Sequence, residues 1–275
     1  MSKTKHDEFG DRMKTYENVT RNYLTRRTPV IIRIDGCHFH TFTRGFDKPY
    51  DNVLNLSMQD TMFALCRSIQ NCVFGYTQSD EITLVLCDYK KLDTAAWFDN
   101  NVLKMSSVSA SLATLYFNQA FQRRVNEFGE ANFEDWNDGA TSRVFSSEEI
   151  IALHSIDCYA KGIAKGATFD SRVFNIPKEE VCNCLIWRQN DAIRNSISGL
   201  GQHYFSPKVL DGKSSKQILD MLANEKNLNW NDTPLKFQRG SCCIRTNDGW
   251  IIDDSIPIFK DDRNYIERFI AFDEE

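Results

Sequence analysis

Apolar and polar positions alternate along the chain in strand-length and helix-length patterns. The run Pro29-Val30-Ile31-Ile32-Arg33-Ile34-Asp35-Gly36 is short, rich in β-branched residues and closed by Asp-Gly, which predicts a buried strand ending at a turn. After the loop Arg44-Gly45-Phe46-Asp47-Lys48-Pro49, the residues Leu54, Met58, Met62, Leu65 and Ile69 recur at helical spacing, with Asn52 or Asp51 available as the cap. Cys72 to Thr77 and Ile82 to Cys87 read as two strands joined through Gln78-Ser79-Asp80-Glu81, a β-hairpin. A long helical pattern runs from about Thr94 to Arg124, with Val102, Met105, Leu112 and Leu115 on one side and small residues between them.

The polar stretch Asn126 to Ser147, which contains Asp135-Trp136-Asn137-Asp138-Gly139, is expected to mark a boundary. Beyond it lie a strand candidate from Ala167 to Ile176, a helical stretch near Glu179 to Ile197, and a basic segment from Lys208 to Lys216. Strand-like residues Ser241 to Ile252 and an acidic end, Asp273-Glu274-Glu275, complete the chain.

The order β-α-β-β-α-β carries a geometric consequence. A right-handed crossover sets the second strand parallel to the first, with the third inserted antiparallel between them. Asp35, at the end of the first strand, and Asp80 and Glu81, at the hairpin, then meet at one edge of the sheet. Singly, an Asp-Gly is a turn and a Ser-Asp-Glu is a hairpin loop. Together they form a carboxylate cluster suited to hard divalent ions such as Mg²⁺, two of which bridge the phosphates of a nucleoside triphosphate. Cys37-His38-Phe39-His40 follows directly, and Lys48 lies one loop later; exposed amides after a strand plus a cationic lysine suit triphosphate oxygens.

Composition narrows the class. The 275 residues include 33 Lys+Arg and 38 Asp+Glu, a formal net charge of −5, with 41% hydrophobic and 12% aromatic residues. Mean hydropathy is −0.45. Disordered and collagen-like chains are excluded. No window reaches the ~18 apolar residues of a membrane span, so a cytoplasmic protein without membrane association is expected. The nine Cys sit mostly in apolar runs, which favours reduced, buried thiols over disulfides. Cys182, Cys184, Cys242 and Cys243 offer zinc-ligand chemistry, but no C-x2-C knuckle repeats, and packing is the better reading.

At the carboxylate positions the chain closely resembles the tRNA-His guanylyltransferase superfamily, the 3′-to-5′ nucleotidyltransferases. The matching strings are Arg33-Ile34-Asp35-Gly36 with Phe39-His40 and Phe42, Lys48-Pro49 with Asp51, Leu54 and Asn55, and Tyr76-Thr77-Gln78-Ser79-Asp80-Glu81. Ser111-Leu112-Ala113 before Phe117-Asn118, Phe169-Asp170 with Arg172, and Trp187-Arg188-Gln189 with Asp191 continue the match, which spans most of residues 5–200. The resemblance implies an α+β fold: a polymerase-palm, ferredoxin-like βαββαβ antiparallel sheet with helices on one face, and a mixed α/β C-terminal region. On this view residues 1–140 are the catalytic core, and residues 141–275 complete it and contact tRNA.

The resemblance further implies that Asp35, the Gly36 carbonyl and Asp80 hold two Mg²⁺ ions, with Glu81 as a third, supporting catalytic carboxylate. Asp35, Gly36, Cys37, His38, Phe39, His40, Lys48, Ser79 and Asp80 would contact the nucleotide. ATP or GTP would activate a tRNA 5′-phosphate, and an incoming nucleotide would then extend the 5′ end. Where eukaryotic-type members carry His-Ile-Asn-Asn-Leu-Tyr-Asn after the Trp-Arg-Gln-x-Asp string, Asp191 here precedes Ala192-Ile193-Arg194-Asn195-Ser196-Ile197-Ser198. That difference is similar to the Thg1-like protein branch, associated with template-dependent repair of 5′-truncated tRNA.

RNA binding by an acidic chain requires local basic patches. Arg21, Arg26 and Arg27, Lys161 and Lys165, and Arg188, Arg194, Lys208, Lys213 and Lys216 are the runs available. Taken with the family match, Arg27, Arg172, Arg188 and Arg194 are the candidate tRNA contacts, combined across the homotetramer that the resemblance implies. A nucleotide cyclase shares a β-α-β-β-α-β core with paired carboxylates, but its Gly-Gly-Asp-Glu-Phe hairpin is replaced by Gln78-Ser79-Asp80-Glu81-Ile82. A catalytically inactive tRNA-binding protein is the third reading, against which stands the self-repulsion of carboxylates kept without a metal.

Overall fold

In the computed structural model, residues 7–91, 93–133 and 146–271 are described. Asp135 to Gly139 of the expected boundary and the acidic end Asp273 to Glu275 lie outside the described residues. The helices are α1 (Glu8–Asn18), α2 (Phe39–Phe42), α3 (Asn52–Ser68), α4 (Val102–Asn132), α5 (Ser147–Lys165), α6 (Lys178–Tyr204), α7 (Pro207–Leu210), α8 (Ser215–Lys226), α9 (Leu235–Arg239) and α10 (Asn264–Ile270). The strands are β1 (Val30–Gly36), β2 (Cys72–Gln78), β3 (Glu81–Leu86), β4 (Phe169–Asn175), β5 (Ser241–Thr246) and β6 (Gly249–Asp253).

The strands form one sheet in the order β4-β1-β3-β2-β5-β6, every neighbouring pair antiparallel. Because β3 is antiparallel to both β1 and β2, those two run parallel with β3 between them, as the crossover argument requires. The chain is α+β. β5 extends the sheet by pairing with β2 rather than forming a separate layer.

Strand periodicity divides the core in two. Val30, Ile32 and Ile34 of β1, with Ile82, Leu84 and Leu86 of β3, pack against Met58, Met62 and Leu65 of α3 and Phe117 and Phe121 of α4. Ile31, Val85, Phe74, Cys242 and Ile244 face the other way, against Val181, Cys182 and Leu185 of α6 and Ile266 and Ile270 of α10. Within the βαββαβ unit the helices therefore lie on one face, and C-terminal helices cover the other. A third cluster joins Ile197 and Leu200 of α6 to Ile218 and Leu222 of α8. All nine Cys are free. Cys242 and Cys243 lie in different cores on opposite faces of β5, so the four candidate zinc ligands do not converge.

Asp51, one of two candidate caps, is the N-cap of α3: Oδ1 accepts from the Leu54 amide at 2.8 Å, while Oδ2 accepts from the Asp47 amide at 3.0 Å and the Tyr159 hydroxyl at 2.8 Å. Asp51→Ala removes the cap and orphans a buried hydroxyl, and is expected to cost about 2–4 kcal/mol in urea unfolding. Burial outweighs the three donors, and the Asp47 charge adds to it, so the Asp51 carboxyl titrates above its usual value of 3.8. A folded pKa above the unfolded one means that the fold holds this proton more tightly. The linked stability is fully present below about pH 4 and is lost as pH rises through the folded value. Asp51→Asn cannot ionise, and its urea midpoint is expected to lack that component of the pH slope.

Candidate active site

β1 and the β2–β3 hairpin end side by side. The Gly36 amide donates to the Asp80 carbonyl at 3.1 Å, tying the end of β1 to the hairpin turn. Only two residues, Ser79 and Asp80, separate β2 from β3, and Ser79 takes a left-handed φ of 51° to close so tight a turn. Its hydroxyl donates to Asp80 Oδ1 at 3.1 Å and orients that carboxylate. Asp35 sits directly opposite Glu81 on β3 and Asp170 on β4, so three carboxylates share one row of the sheet on the α6 face. Gly36 is required for space: a Cβ there would lie 2.2 Å from the Phe39 ring.

The carboxylates differ in environment. Burial, and then the neighbouring Asp35 charge, raise the Asp80 carboxyl above its usual 3.8, although its own backbone and Ser79 donate to it. Glu81 is differently placed. Its Oε1 accepts from Arg188 Nε at 2.6 Å, both side chains being 8% exposed, and Arg188 also donates to Asp191 Oδ2 at 3.0 Å. Glu81 is thereby neutralised inside the protein. Asp35 and Asp80 have no comparable cation bound to them among the described residues.

Two cavities meet at Asp80, and Asp35 lines the smaller of them. One, of about 430 Å³, is lined by His40, Lys48, Ser79 and Asp80 and walled on the far side by Tyr50 and Phe237, whose rings stack at 5.0 Å. The second, of about 330 Å³, opens on the α6 face between Arg33, Asp35, Asp80, Trp187 and Asn195. A carboxylate pair, an adjacent backbone carbonyl and a neighbouring space for phosphates fit Mg²⁺, which commonly binds through one or two carboxylates and completes its shell with water and substrate oxygens. No group of three or more His, Cys, Asp or Glu side chains with metal-site geometry occurs among the described residues. Any ion here needs such outside ligands.

Of the expected nucleotide contacts, the structure brings Asp35, His40, Lys48, Ser79 and Asp80 to the two cavities. Gly36, Cys37 and His38 form the turn behind them, with His38 in the left-handed region at φ 56°. Phe39 also lines the larger cavity, and its ring is packed against Phe42, Phe117 and Phe169 at 5.1–5.5 Å, which anchors the turn.

The expected tRNA arginines scatter. Arg188 is buried and double-paired, and its position corrects the expectation of a surface cation. Arg27 lies in the turn before β1, at the opposite end from Asp35, with roughly 17 Å of extended strand from Val30 to Asp35 between them, and does not line either cavity. Arg172 is half-exposed on β4, and Arg194 is exposed and paired with Asp191 at 2.7 Å. Sequence reasoning missed Arg33 and the Tyr50–Phe237 wall. A charged residue inside the run Val-Ile-Ile-Arg-Ile was a usable signal for Arg33. Nothing local marks Phe237, because it meets Tyr50 only through the fold.

Comparison with known proteins adds an independent line. The profile of a family described as tRNAHis guanylyltransferase matches residues 10–177. The solved bacterial tRNA(His) guanylyltransferase (Thg1)-like protein in complex with ATP is 40% identical, with a TM-score of 0.79, covering 96% of this chain and 100% of that one. Its counterpart in complex with GTP is 36% identical, with a TM-score of 0.74, covering 97% and 100%. tRNA(His) guanylyltransferase 2 of Arabidopsis thaliana is 26% identical over 86% of this chain, which spans 38% of that protein's length. No described helix is long and apolar enough to cross a membrane.

Proposed function

Since the chain belongs to the tRNAHis guanylyltransferase family, we propose that it is a nucleotidyltransferase that extends the 5′ end of tRNA in the 3′-to-5′ direction, as a template-dependent repair enzyme. The observation carrying this reading is the convergence of Asp35 and Asp80 at one sheet edge, with Asp80 at the junction of two cavities, of which the larger would take a nucleotide and the smaller an acceptor. The solved relatives are ATP and GTP complexes, which supports nucleoside triphosphates as substrates.

In the first step a 5′-phosphate oxygen of the RNA attacks the α-phosphorus of ATP or GTP, forming a 5′-5′ pyrophosphate link and releasing pyrophosphate. In the second, the 3′-hydroxyl of the incoming nucleotide attacks the RNA 5′-phosphorus and releases the nucleoside monophosphate. Asp35, the Gly36 carbonyl and Asp80 would hold two Mg²⁺ ions, which when bound neutralise phosphate charge and polarise the attacking and leaving oxygens. Lys48 and His40 line the larger cavity, where they would meet the triphosphate. Ser79 keeps Asp80 oriented, and Arg188 compensates the Glu81 charge beside the ion site while fixing α6 over the sheet. The chain's contribution is positioning and charge compensation. The proposal includes a homotetramer acting in the cytoplasm, on the strength of the family likeness.

The test is incubation with Mg²⁺, ATP, the four nucleoside triphosphates and a labelled tRNA lacking its first nucleotide, resolved at single-nucleotide length. Growth at the 5′ end that follows the opposing template base is expected. Nucleotide consumption without RNA growth, from either monophosphate or triphosphate ends, would overturn the reading in favour of a cyclase.

A further inference from the structure

The smaller cavity carries groups that the two phosphoryl-transfer steps do not use. Arg33 lines it with its side chain 20% exposed, yet its Nε has no hydrogen-bond partner. The nearest carboxylate oxygen, Glu81 Oε2, is 4.0 Å away, while Oε1 of the same residue is held by Arg188 at 2.6 Å. On the neighbouring strand Arg172 stands in direct register with Arg33, on the same face of the sheet. Like charges directly opposite across a strand pair are unfavourable, and an anion lying between them removes the conflict. Arg172 has one weak partner, Asp170 at 3.8 Å.

Beside them Trp187 of α6 is 49% exposed at the cavity wall. It is not loosely placed: the Arg33 and Arg188 guanidinium groups sit 5.5 and 4.6 Å from its ring, and Arg188 is itself locked by Glu81 and Asp191. An exposed indole held in one orientation beside guanidinium groups, one of which has an unpartnered Nε, has the makeup of a single-stranded nucleic-acid site, in which bases stack and phosphates meet cations.

We propose that Arg33, Arg172 and Trp187 form the acceptor groove: the two arginines take a backbone or terminal phosphate at the RNA 5′ end, and Trp187 stacks on the adjoining base. The inference rests on the nucleotidyltransferase reading and deepens it by assigning the RNA to the α6 face and the nucleotide to the larger cavity. It also explains why an arginine interrupts the apolar run of β1, two residues before Asp35 and on the same face.

The test is a binding titration of the full chain in Mg²⁺, without nucleoside triphosphate, using a fluorescent 5′-monophosphorylated acceptor-stem RNA with an unpaired end, beside a separate ATP titration. Trp187→Ala is expected to weaken RNA binding about tenfold or more, Trp187→Phe to restore most of it, and ATP affinity to stay within about twofold. Arg172→Ala is expected to weaken RNA binding and lower the slope of log affinity against log salt by about one. Unchanged RNA binding in Trp187→Ala, or equal losses for RNA and ATP, would overturn the groove. The two readings fail separately. A wild type that adds no nucleotide, but whose RNA binding falls in Trp187→Ala, sinks the reaction and leaves the groove standing. A wild type that extends RNA with an undiminished RNA KM in Trp187→Ala sinks the groove alone.

Discussion

Asp80→Asn is expected to abolish nucleotide addition to RNA, by about 10³-fold or more, while leaving the metal-free protein no less stable than wild type. The activity loss follows from removing one of the two carboxylates that lack a protein cation, at the point where both cavities meet. The stability result follows from the same environment read in the opposite sense. Burial and the Asp35 charge disfavour the ionised Asp80, so the folded protein carries an electrostatic cost that an amide of the same shape removes. Single-turnover addition with saturating Mg²⁺, and thermal unfolding in EDTA, read the two halves separately. A variant that loses activity only because it unfolds in EDTA would contradict the assignment. Asp35→Asn is expected to lose nucleotide addition to a similar extent, since it removes the other carboxylate of the pair.

Arg188→Ala is expected to cost about 3–5 kcal/mol of folding stability, measured by urea denaturation. Its guanidinium joins Glu81 at 2.6 Å and Asp191 at 3.0 Å, and both members of the first pair are 8% exposed. Truncation would leave the Glu81 carboxylate buried without its counter-ion, a larger effect than loss of the attraction itself. Combining Arg188→Met with Glu81→Gln is therefore expected to recover most of the loss, because neither residue then brings an uncompensated charge inside. A single-variant cost below about 1 kcal/mol would mean that Glu81 finds another partner, of which Arg33 at 4.0 Å is the nearest. The pair also bears on the reading of Glu81. The family resemblance makes it a supporting carboxylate of the metal cluster, and the structure sets it in the cavity lining with Asp35 and Asp80, its charge compensated by Arg188 of α6.

Local pattern was sufficient wherever a property repeats within a few residues. The β-branched run ending in Asp35-Gly36, the hairpin around Ser79-Asp80 and the helical spacing from Leu54 to Ile69 were legible because neighbouring side chains alone determine which face of a strand or helix is apolar. The order of those elements, with the handedness of the crossover, was enough to bring Asp35 and Asp80 to one edge. The helix expected from Thr94 begins at Val102, after the irregular turn Trp97–Asn100 in which Phe98 and Asp99 adopt positive φ.

What only the tertiary structure decided were pairings between distant segments. Arg188 and Glu81 are 107 residues apart, and nothing near either announces the other. The placement of β5 beside β2, of Phe237 against Tyr50, and of Trp187 between two guanidinium groups depends on how α6 and the C-terminal hairpin settle on the sheet. The sequence by itself determined the carboxylate pair and the placement of β3 between β1 and β2, because periodicity and chain connectivity are local constraints. Which charges are neutralised, which stay open to a ligand and which aromatic faces solvent are settled by burial and register, quantities that exist only once the chain has closed on itself.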